Sequence, residues 1–385
     1  GKAMGNSISV DDYVSALPVA LLLALECTSA SPIGRSLTFL KQLWKQENKL
    51  TCNDNVDKGI DDYNALHAGT VEDRNAEYKK LVNSYYDLAT QFYEWGWGQS
   101  FHFSHQNKWE SFSEGTRRHE YYLASMLGAL KPGSKVVDVG CGIGGPARNI
   151  AKFFEKQVQV KGLTLNPYQV ARGNEVCAQQ GLAETVELVQ CDFMHSPFED
   201  ETFDGAYAIE ATCHAPDRVG VYKEVLRTLK PGATFACYEW CMTDKFDPTD
   251  KEHLKIKKNI EEGDGLPDII STHACLKALE KAGFEIVFDR DLADTPGNNW
   301  FVPLTPSWNP LTQRFQFNWL GMFLTTNILR VLEVIYLVPK GTSKTQQMLQ
   351  KGGVGCARGG QTGIFTPMYL MVGRKPLETS TEKGQ

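Results

Sequence analysis

The sequence lacks both the cysteine spacing of a zinc module and any excess of positive charge. Its ten cysteines include no CxxC pair, and Cys237 and Cys241 stand four apart without a second pair of ligands. We therefore expect free thiols in a reducing compartment and no bound metal. The net charge of −6 argues against a nucleic-acid-binding protein, which normally carries a basic patch.

The chain also lacks an apolar run long enough to cross a bilayer. Within the apolar segment Val14–Ala30, the uninterrupted stretch Pro18–Leu25 is far shorter than the roughly 20 residues of a spanning helix. We interpret the segment as a short amphipathic or interfacial helix, extended by an apolar series that ends at Trp44. With 385 residues, 42% hydrophobic and 22% charged, the composition is that of a globular protein with one enlarged domain or two domains.

Short β-rich runs alternate with helical segments from residue 135 onwards. The predicted strands are Lys135–Val139, Val158–Thr164, Val186–Gln190, Phe203–Ile209, Thr234–Glu239, Phe284–Asp289 and Pro367–Val372. The predicted helices lie near Thr116–Leu130, Pro146–Phe154, Pro167–Gln180, Arg218–Leu229, Thr272–Ala282 and Trp319–Val338. This alternation is typical of a parallel sheet with helices on both faces, so we predict an α/β fold with a Rossmann-like sheet of seven strands.

The predicted organisation has four parts. Residues 1–76 form an N-terminal extension, and residues 77–293 combine an aromatic segment with most of the sheet. Residues 294–375 hold an insertion and the last strand, and residues 376–385 are a polar tail. The insertion is rich in large apolar side chains, such as Trp300, Trp308, Trp319 and Phe323. We expect it either to form a lid or membrane-facing mouth, or simply to cap an enlarged core.

A glycine-rich turn follows the first predicted strand. The run Val136–Pro146 contains a GxGxGG pattern that begins at Gly140, and Asp138 stands two residues before that glycine. Ligands of open α/β sheets bind at the carboxyl ends of the strands, where this aspartate is expected. A carboxylate there suits a cofactor with a cationic amino-acid tail better than one with phosphates. A tight turn whose glycines serve packing alone is the structural alternative.

The ends of the next strands carry further polar and aromatic residues. Asn166 follows the second strand, Asp192 and Phe193 follow the third, and Lys230-Pro231-Gly232 precedes the fifth. This ordered set resembles the class I S-adenosylmethionine-dependent methyltransferases. The resemblance implies S-adenosylmethionine as cofactor, with binding residues Ser100, Asp138, Gly140, Cys141, Gly142, Thr164, Asn166, Asp192 and Phe193. Many such enzymes carry Asp or Glu in place of Asn166.

Four other runs resemble one family within that class, the sterol C24-methyltransferases. They are Tyr93–Ser104 (YEWGWGQSFHFS), Tyr207–Pro216 (YAIEATCHAP), Tyr238–Lys245 (YEWCMTDK) and Arg358–Tyr369 (RGGQTGIFTPMY). The resemblance covers roughly residues 77–375. It implies methyl transfer to C24 of a Δ24 sterol side chain through a carbocation, in sterol biosynthesis. Aromatic faces attract cations, and a closed site excludes the water that would quench them.

Residue roles follow from that chemistry as hypotheses. Tyr93 and Trp97 are expected to line the cation pocket, and Glu94 and Glu210 to supply negative charge. The deprotonating group is expected to be Glu210 or His102, with His214 as a second base or as a residue that orients Glu210. The alternatives are an ordinary aromatic core for the first run and satisfied structural roles for the two histidines.

The expected partners are a sterol and a lipid surface contacted peripherally, with no nucleic acid. The resemblance also suggests a homo-oligomer, located inside the cell at the endoplasmic reticulum or at lipid droplets. Two other functions stay open: a methyltransferase of another prenyl-type lipid, and a non-catalytic sterol-binding protein that retains the cofactor fold. The glycine turn together with Asp138 and Asp192 favours an enzyme.

Overall fold

The computed structural model describes residues 56–295, 297, 299–310 and 312–377. The interfacial helix predicted within residues 14–44 and the polar tail beyond residue 377 lie outside this part of the chain. The helices are α1 Val56–His67, α2 Val71–Ala76, α3 Tyr78–Gly96, α4 Phe112–Ser125, α5 Gly145–Phe153, α6 Pro167–Gln179, α7 Arg218–Thr228, α8 Lys251–Asp264, α9 Thr272–Ala282, α10 Trp319–Val334 and α11 Thr342–Thr362. The strands are β1 Lys135–Val139, β2 Gln159–Thr164, β3 Val186–Gln190, β4 Phe203–Ile209, β5 Leu229–Met242, β6 Glu285–Asp291 and β7 Phe365–Arg374.

The seven strands form one sheet in the order β3-β2-β1-β4-β5-β7-β6, which confirms the predicted α/β fold. Strands β1 to β5 are parallel, but β7 runs antiparallel to both β5 and β6. The expectation of an entirely parallel sheet was therefore wrong at this edge. The reason is local: α11 ends beside the carboxyl end of β5, where Phe365 pairs with Met242, and the chain enters β7 directly from there.

Alternate residues of the central strands bury side chains on opposite faces of the sheet. Val136 and Val160 belong to the core on one face, whereas Val137 and Val139 belong to the core on the other. Helices cover both faces, so parallel strands buried on both sides can be continuously apolar. The residues at the carboxyl ends of these strands are thereby fixed on a rigid frame.

Helices outside the sheet form a layer above its carboxyl edge. A small core joins Ile60 and Tyr63 of α1, Leu81 and Tyr85 of α3, and Met348 of α11. The boundary predicted at residue 76 therefore does not separate folded units, because α1 packs on both α3 and the C-terminal insertion. Within the described residues, no helix is long and apolar enough to cross a membrane.

The sequence analysis did not anticipate α8 or α11. Helix α11 contains five glycines between residues 352 and 360, a composition that normally weakens helices. In the structure these glycines allow close packing. A Cβ on Gly352 would lie 2.9 Å from the backbone carbon of Gly263 in α8. Tertiary packing here overrides local propensity.

Candidate functional site

The glycine turn between β1 and α5 adopts backbone geometry that only glycine tolerates well. Gly140 has a φ of +85°, and a Cβ built on it would lie 2.3 Å from the Cβ of Ala211. Any side chain here would collide with the turn after β4. The turn therefore brings bare backbone to the carboxyl edge of the sheet, which is the ligand-binding edge of such folds.

A narrow cavity of about 60 Å³ lies at this edge. Six of the nine predicted cofactor-binding residues line it: Gly140, Cys141, Gly142, Thr164, Asn166 and Phe193. Val82 and Tyr86 of α3 form part of its wall from the opposite side. Helix α3 thus closes over the strand ends.

Asp138 is held just beneath that cavity rather than in its wall. Its side chain accepts a hydrogen bond of 2.9 Å from the hydroxyl of Tyr207 on β4, and the residue is only 1% exposed. Burial raises the pKa of Asp138 to about 7, while the hydrogen bond from Tyr207 acts in the opposite direction. The carboxyl group stands at the end of β1, as the sequence predicted.

Two other predicted cofactor residues, Asp192 and Ser100, bind other side chains of the protein. Asp192 accepts hydrogen bonds from the hydroxyl of Tyr78 at 2.6 Å and from the Nζ of Lys79 at 2.7 Å, so it fastens the start of α3 to the end of β3. Ser100 donates a hydrogen bond of 2.6 Å to Glu120. Neither side chain is among the residues that line the narrow cavity, and their contact with the cofactor stays a prediction.

Asn166 has two structural partners. Its side-chain oxygen accepts from the backbone N–H of Gln169 and caps α6, and its Nδ2 donates to Asp87 of α3 at 2.6 Å. The carboxylate that many related turns carry at this position is therefore supplied next to it, from another element. Nothing in the sequence near residue 166 indicated this pairing.

A second, larger cavity of about 710 Å³ adjoins the first. Phe101 and His102 line both cavities. Tyr93 and Trp97 line the large cavity, as predicted. The Trp97 indole donates to the backbone oxygen of His102 at 3.0 Å, and this bond fixes the plane of the ring. The size lies in the range of small-molecule sites, which are mostly apolar with a few polar groups.

Glu210 lies in the wall of the narrow cavity with both oxygens engaged. The backbone N–H of Phe103 donates to Oε1 at 2.8 Å, and the Trp240 indole donates to Oε2 at 2.7 Å. Glu210 has a φ of +53°, a left-handed conformation that costs roughly 1–3 kcal/mol for a residue with a side chain. Burial raises its pKa to about 8, and the charge of His102 and both N–H donors act in the opposite direction.

The two predicted histidines have different protonation states. His102 faces the backbone oxygen of Phe103 with Nδ1 and the carboxylate of Glu120 with Nε2, so both nitrogens must donate. Burial acts to lower the pKa of His102, but Glu120 raises it above the ordinary value. His102 is therefore an imidazolium and cannot serve as the base.

His214 is neutral and does not orient Glu210 by a direct hydrogen bond. Its Nδ1 donates to the backbone oxygen of Gly265 at 3.1 Å, so its Nε2 accepts from the hydroxyl of Tyr86 at 3.0 Å. Burial lowers the pKa of His214 to about 4. The suggestion that His214 positions Glu210 was wrong, because Phe103 and Trp240 do so.

Glu94 does not lie in a cation pocket. Its carboxylate accepts from Arg172 at 3.1 Å and from Gln99 at 2.9 Å, and it lines neither of the two cavities. As the residue after Tyr93 on α3, it points away from the face that Tyr93 presents to the large cavity. Its negative charge is neutralised by Arg172, so the predicted catalytic role of Glu94 is contradicted by its surroundings.

Most side chains of the large cavity were not predicted as site residues, and Trp240 and Asp264 are the two with the clearest chemical role. Trp240 follows Glu239 on β5, and Asp264 ends α8. Trp240 lies within a run that resembled the sterol family, which was the available signal. Asp264 stands in an unremarked Gly-Asp-Gly sequence, and only the fold brings it to the cavity.

Comparison with known proteins agrees with this geometry. A family model described as a methyltransferase domain matches residues 137–237, and one described as sterol methyltransferase C-terminal matches residues 312–377. The chain is 50% identical over 314 residues to cycloartenol-C-24-methyltransferase of Arabidopsis thaliana, covering 82% of this chain and 92% of that one. It is 44% identical over 323 residues to sterol 24-C-methyltransferase of Saccharomyces cerevisiae, covering 82% and 84%.

A solved structure shows the same fold at low sequence identity. Mycolic acid cyclopropane synthase, complexed with SAH and CTAB, superposes with a TM-score of 0.59 at 17% identity, over 77% of this chain and 98% of that one. The sheet and the glycine turn define a class I methyltransferase. The identity over most of the chain is more specific: this protein belongs to the sterol 24-C-methyltransferase family.

Proposed function

We propose that the protein transfers the methyl group of S-adenosylmethionine to C24 of a Δ24 sterol side chain. The observation that carries the proposal is the adjacency of two cavities, one at the glycine turn and one of about 710 Å³ lined by Tyr93, Trp97 and Trp240. An alkene attacks an electrophilic methyl group poorly, and the attack leaves a carbocation. Aromatic faces stabilise such a cation, by about 2 kcal/mol where the ring is desolvated.

The residues that line the narrow cavity suit an amino-acid-bearing nucleoside cofactor. Gly140 leaves space that a Cβ would fill, Asp138 stands beneath the turn, and the amide of Asn166 lies at the end of β2. When bound, the cofactor supplies the electrophilic methyl group. Val82 and Tyr86 of α3 form part of the wall opposite the strand ends.

Glu210, when ionised, supplies a negative charge in the wall of the narrow cavity, and a cationic cofactor there would favour the ionised form against the effect of burial. The N–H groups of Phe103 and Trp240 hold its carboxylate in one orientation, and the imidazolium of His102 favours its charged form. A fixed carboxylate stabilises developing positive charge without reorganisation.

Turnover with labelled substrates tests the proposal. The full chain is incubated with methyl-labelled S-adenosylmethionine and three lipids: a Δ24 sterol, its side-chain-saturated counterpart and a phenolic prenyl lipid. We expect label only in the Δ24 sterol, because the saturated sterol has no nucleophilic carbon. Label confined to the phenolic lipid would establish the alternative prenyl-lipid activity. Absence of saturable heat with S-adenosylmethionine in calorimetry would favour a non-catalytic sterol-binding protein.

We further propose that α10 docks on a lipid bilayer. Its outer face and the following turn expose Phe323, Ile328, Val331, Val334 and Tyr336, the last two at 74% and 80%. Ile328 also lines the large cavity, so the apolar surface is continuous with the place where a water-insoluble substrate would bind. Contiguous exposed apolar surface of this kind marks protein or membrane contacts.

Sedimentation with phosphatidylcholine–phosphatidylserine vesicles tests this docking. Val334→Glu should weaken binding strongly, whereas Val287→Glu, at an equally apolar exposed site on β6, should not. Equal binding by both variants would exclude the α10 face. If Val334→Glu instead dissociates an oligomer seen by light scattering, a second copy covers the face. Residence at the endoplasmic reticulum or at lipid droplets, and assembly into a homo-oligomer, remain proposals from the family resemblance.

A further inference from the structure

Asp264 presents a carboxyl group to the large cavity. It is the last residue of α8, and Gly265 follows it in the left-handed conformation that ends the helix. Asp264 lines the cavity together with Tyr93 and Cys356, and it is partly accessible while the glycines on both sides of it are buried. The lining of this cavity includes Arg314 and several amide and hydroxyl side chains, and Asp264 is the one acidic residue among the described residues that form it.

The nearest polar partners of this carboxyl group are uncharged, and their contacts with it are long. The Tyr93 hydroxyl lies 3.4 Å from Oδ1, and the Cys356 thiol lies 3.7 Å from Oδ2. In the part of the chain that the structure describes, no Lys, Arg or His forms an ion pair with Asp264. Burial raises its pKa to about 7. A buried carboxylate without a counter-cation is costly, and a cation in the cavity would relieve that cost.

The surrounding helices leave space for this group. A Cβ on Gly352 of α11 would lie 2.6 Å from Oδ2 of Asp264 and 2.9 Å from the backbone of Gly263. The absence of a side chain at residue 352 therefore allows α8 and α11 to approach closely with the carboxyl group between them. The pocket for Asp264 is set by backbone packing.

The other acid–base groups near the cavities make shorter hydrogen bonds, of 2.7–3.1 Å, than the contacts of 3.4 and 3.7 Å that Asp264 makes. Both oxygens of Glu210 accept N–H donors, and both nitrogens of His102 donate. Nε2 of His214 accepts from the Tyr86 hydroxyl. A general base needs an unoccupied lone pair within reach of the proton that it removes. Asp264 lines the large cavity and Glu210 lines the narrow one, so Asp264 is the carboxyl group within reach of a proton in the large cavity.

We propose that Asp264 is the base that ends the reaction. The inference rests on the sterol methyl transfer proposed above. After the methyl group bonds to the alkene, a C–H bond on a carbon next to the cationic centre breaks. Its electron pair forms the new double bond, and its proton binds a carboxylate oxygen of Asp264. The step neutralises both charges, and the proton passes to water after the product leaves. Glu210 then acts only as a fixed electrostatic stabiliser.

Product analysis of Asp264→Asn tests the assignment. The amide keeps the shape of the side chain but cannot take the proton, so turnover should fall about 100-fold. The surviving product should shift from the wild-type alkene towards isomers that lost a different proton and towards the alcohol formed by water. Calorimetric titration with S-adenosylmethionine should give wild-type affinity, because the glycine turn is unchanged. Glu210→Gln is the matched control: it should slow turnover without changing the product composition.

The outcomes separate the two proposals. If the wild-type chain methylates no sterol, the proposed function fails. If it does, and Asp264→Asn matches its turnover and product composition, the inference is overturned. If Asp264→Asn does not fold, Asp264→Glu tests the same assignment through the ratio of alkene isomers. Its carboxylate lies one methylene further into the cavity, so it should remove a different proton more often. A changed ratio of alkene isomers in that variant supports the assignment, and an unchanged ratio overturns it.

Discussion

The indole N–H of Trp240 donates a hydrogen bond of 2.7 Å to one carboxylate oxygen of Glu210. The other oxygen accepts from the backbone N–H of Phe103, which belongs to the loop after α3. Two elements distant in sequence thus hold one carboxylate from both sides. The left-handed backbone of Glu210 completes the arrangement, because it turns the chain sharply where β4 ends.

Glu210→Gln should reduce turnover by roughly 100-fold, since a fixed charge next to the developing cation is lost. Glutamine offers one acceptor oxygen to two N–H donors, so unfolding free energy should also fall by about 1–3 kcal/mol. Affinity for S-adenosylmethionine, measured by calorimetry, should stay within about threefold of wild type. Trp240→Phe removes one N–H donor but keeps the charge of Glu210, so it should reduce turnover less than Glu210→Gln does. Equal turnover in Glu210→Gln and wild type would remove Glu210 from the reaction.

Glu94→Gln should affect stability rather than chemistry. In the ion pair, the Glu94 side chain is 4% exposed and the Arg172 side chain is 22% exposed. Loss of the pair should therefore lower the unfolding free energy by about 1–2 kcal/mol, between the values for exposed and fully buried pairs. Turnover at saturating substrate should remain within about threefold of wild type. Arg172→Met, which breaks the same ion pair, should also lower stability and leave turnover within about threefold of wild type. A loss of turnover as large as in Glu210→Gln would restore the catalytic role first predicted for Glu94.

Asp138 makes the stability of the unliganded protein depend on pH. Its pKa is about 7 when folded against an ordinary 3.8, so between these values the unfolded chain has released a proton that the folded protein retains. Unfolding free energy should therefore fall as pH rises from about 4 to about 7, by at most ~4 kcal/mol from this group. Asp138→Asn should lose this contribution. Urea unfolding of both proteins at several pH values measures this contribution. If the unfolding free energies of the two proteins change with pH in parallel, the raised pKa of Asp138 is refuted.

Gly352→Ala should disturb Asp264 and the α8–α11 contact together. The added methyl group would lie 2.6 Å from the carboxylate and 2.9 Å from the backbone of Gly263, which cannot easily move. We expect a stability loss of about 1–3 kcal/mol and lower turnover. Gly59→Ala in α1 is the control, since a Cβ at that position would make only an ordinary contact of 3.8 Å with Leu88. Equal thermal transition temperatures for the two variants would contradict the close packing.

Local patterns in the sequence predicted the sheet and the cofactor edge. The strands β1 to β4 repeat buried aliphatic residues, and the glycine turn at Gly140 requires a backbone that other residues avoid. The ends of β5 were missed because Lys230-Pro231-Gly232 indicated a turn, whereas the structure continues the strand from Leu229 to Met242. Pairing with β7 extends its carboxyl end to Met242, and Leu229 at its start pairs with Phe203 of β4; neither pairing is visible in a local window of sequence.

The side-chain roles were harder to predict because they depend on contacts across the fold. Nothing near Glu94 in the sequence indicates Arg172, which lies 78 residues later. Asp264 reaches the large cavity only because α8 and α11 pack through glycines, and glycine-rich segments are normally interpreted as loops. The residue types indicated the chemistry of the site. Which carboxyl group can act on a substrate depends on the partner that each one meets in the folded protein.

The antiparallel strand β7 ties the helices that line the large cavity to the sheet that carries the glycine turn. The chain leaves the sheet after β6, builds α10 and α11, and returns as an interior strand between β5 and β6. A chain that stopped before residue 365 would lose that strand and leave unpaired backbone along β5 and β6. A truncated product would therefore be prone to aggregation, and nascent chains cannot complete the sheet until α10 and α11 have been made. Variation in substrate range must accordingly come from substitutions and length changes within this span rather than from its loss.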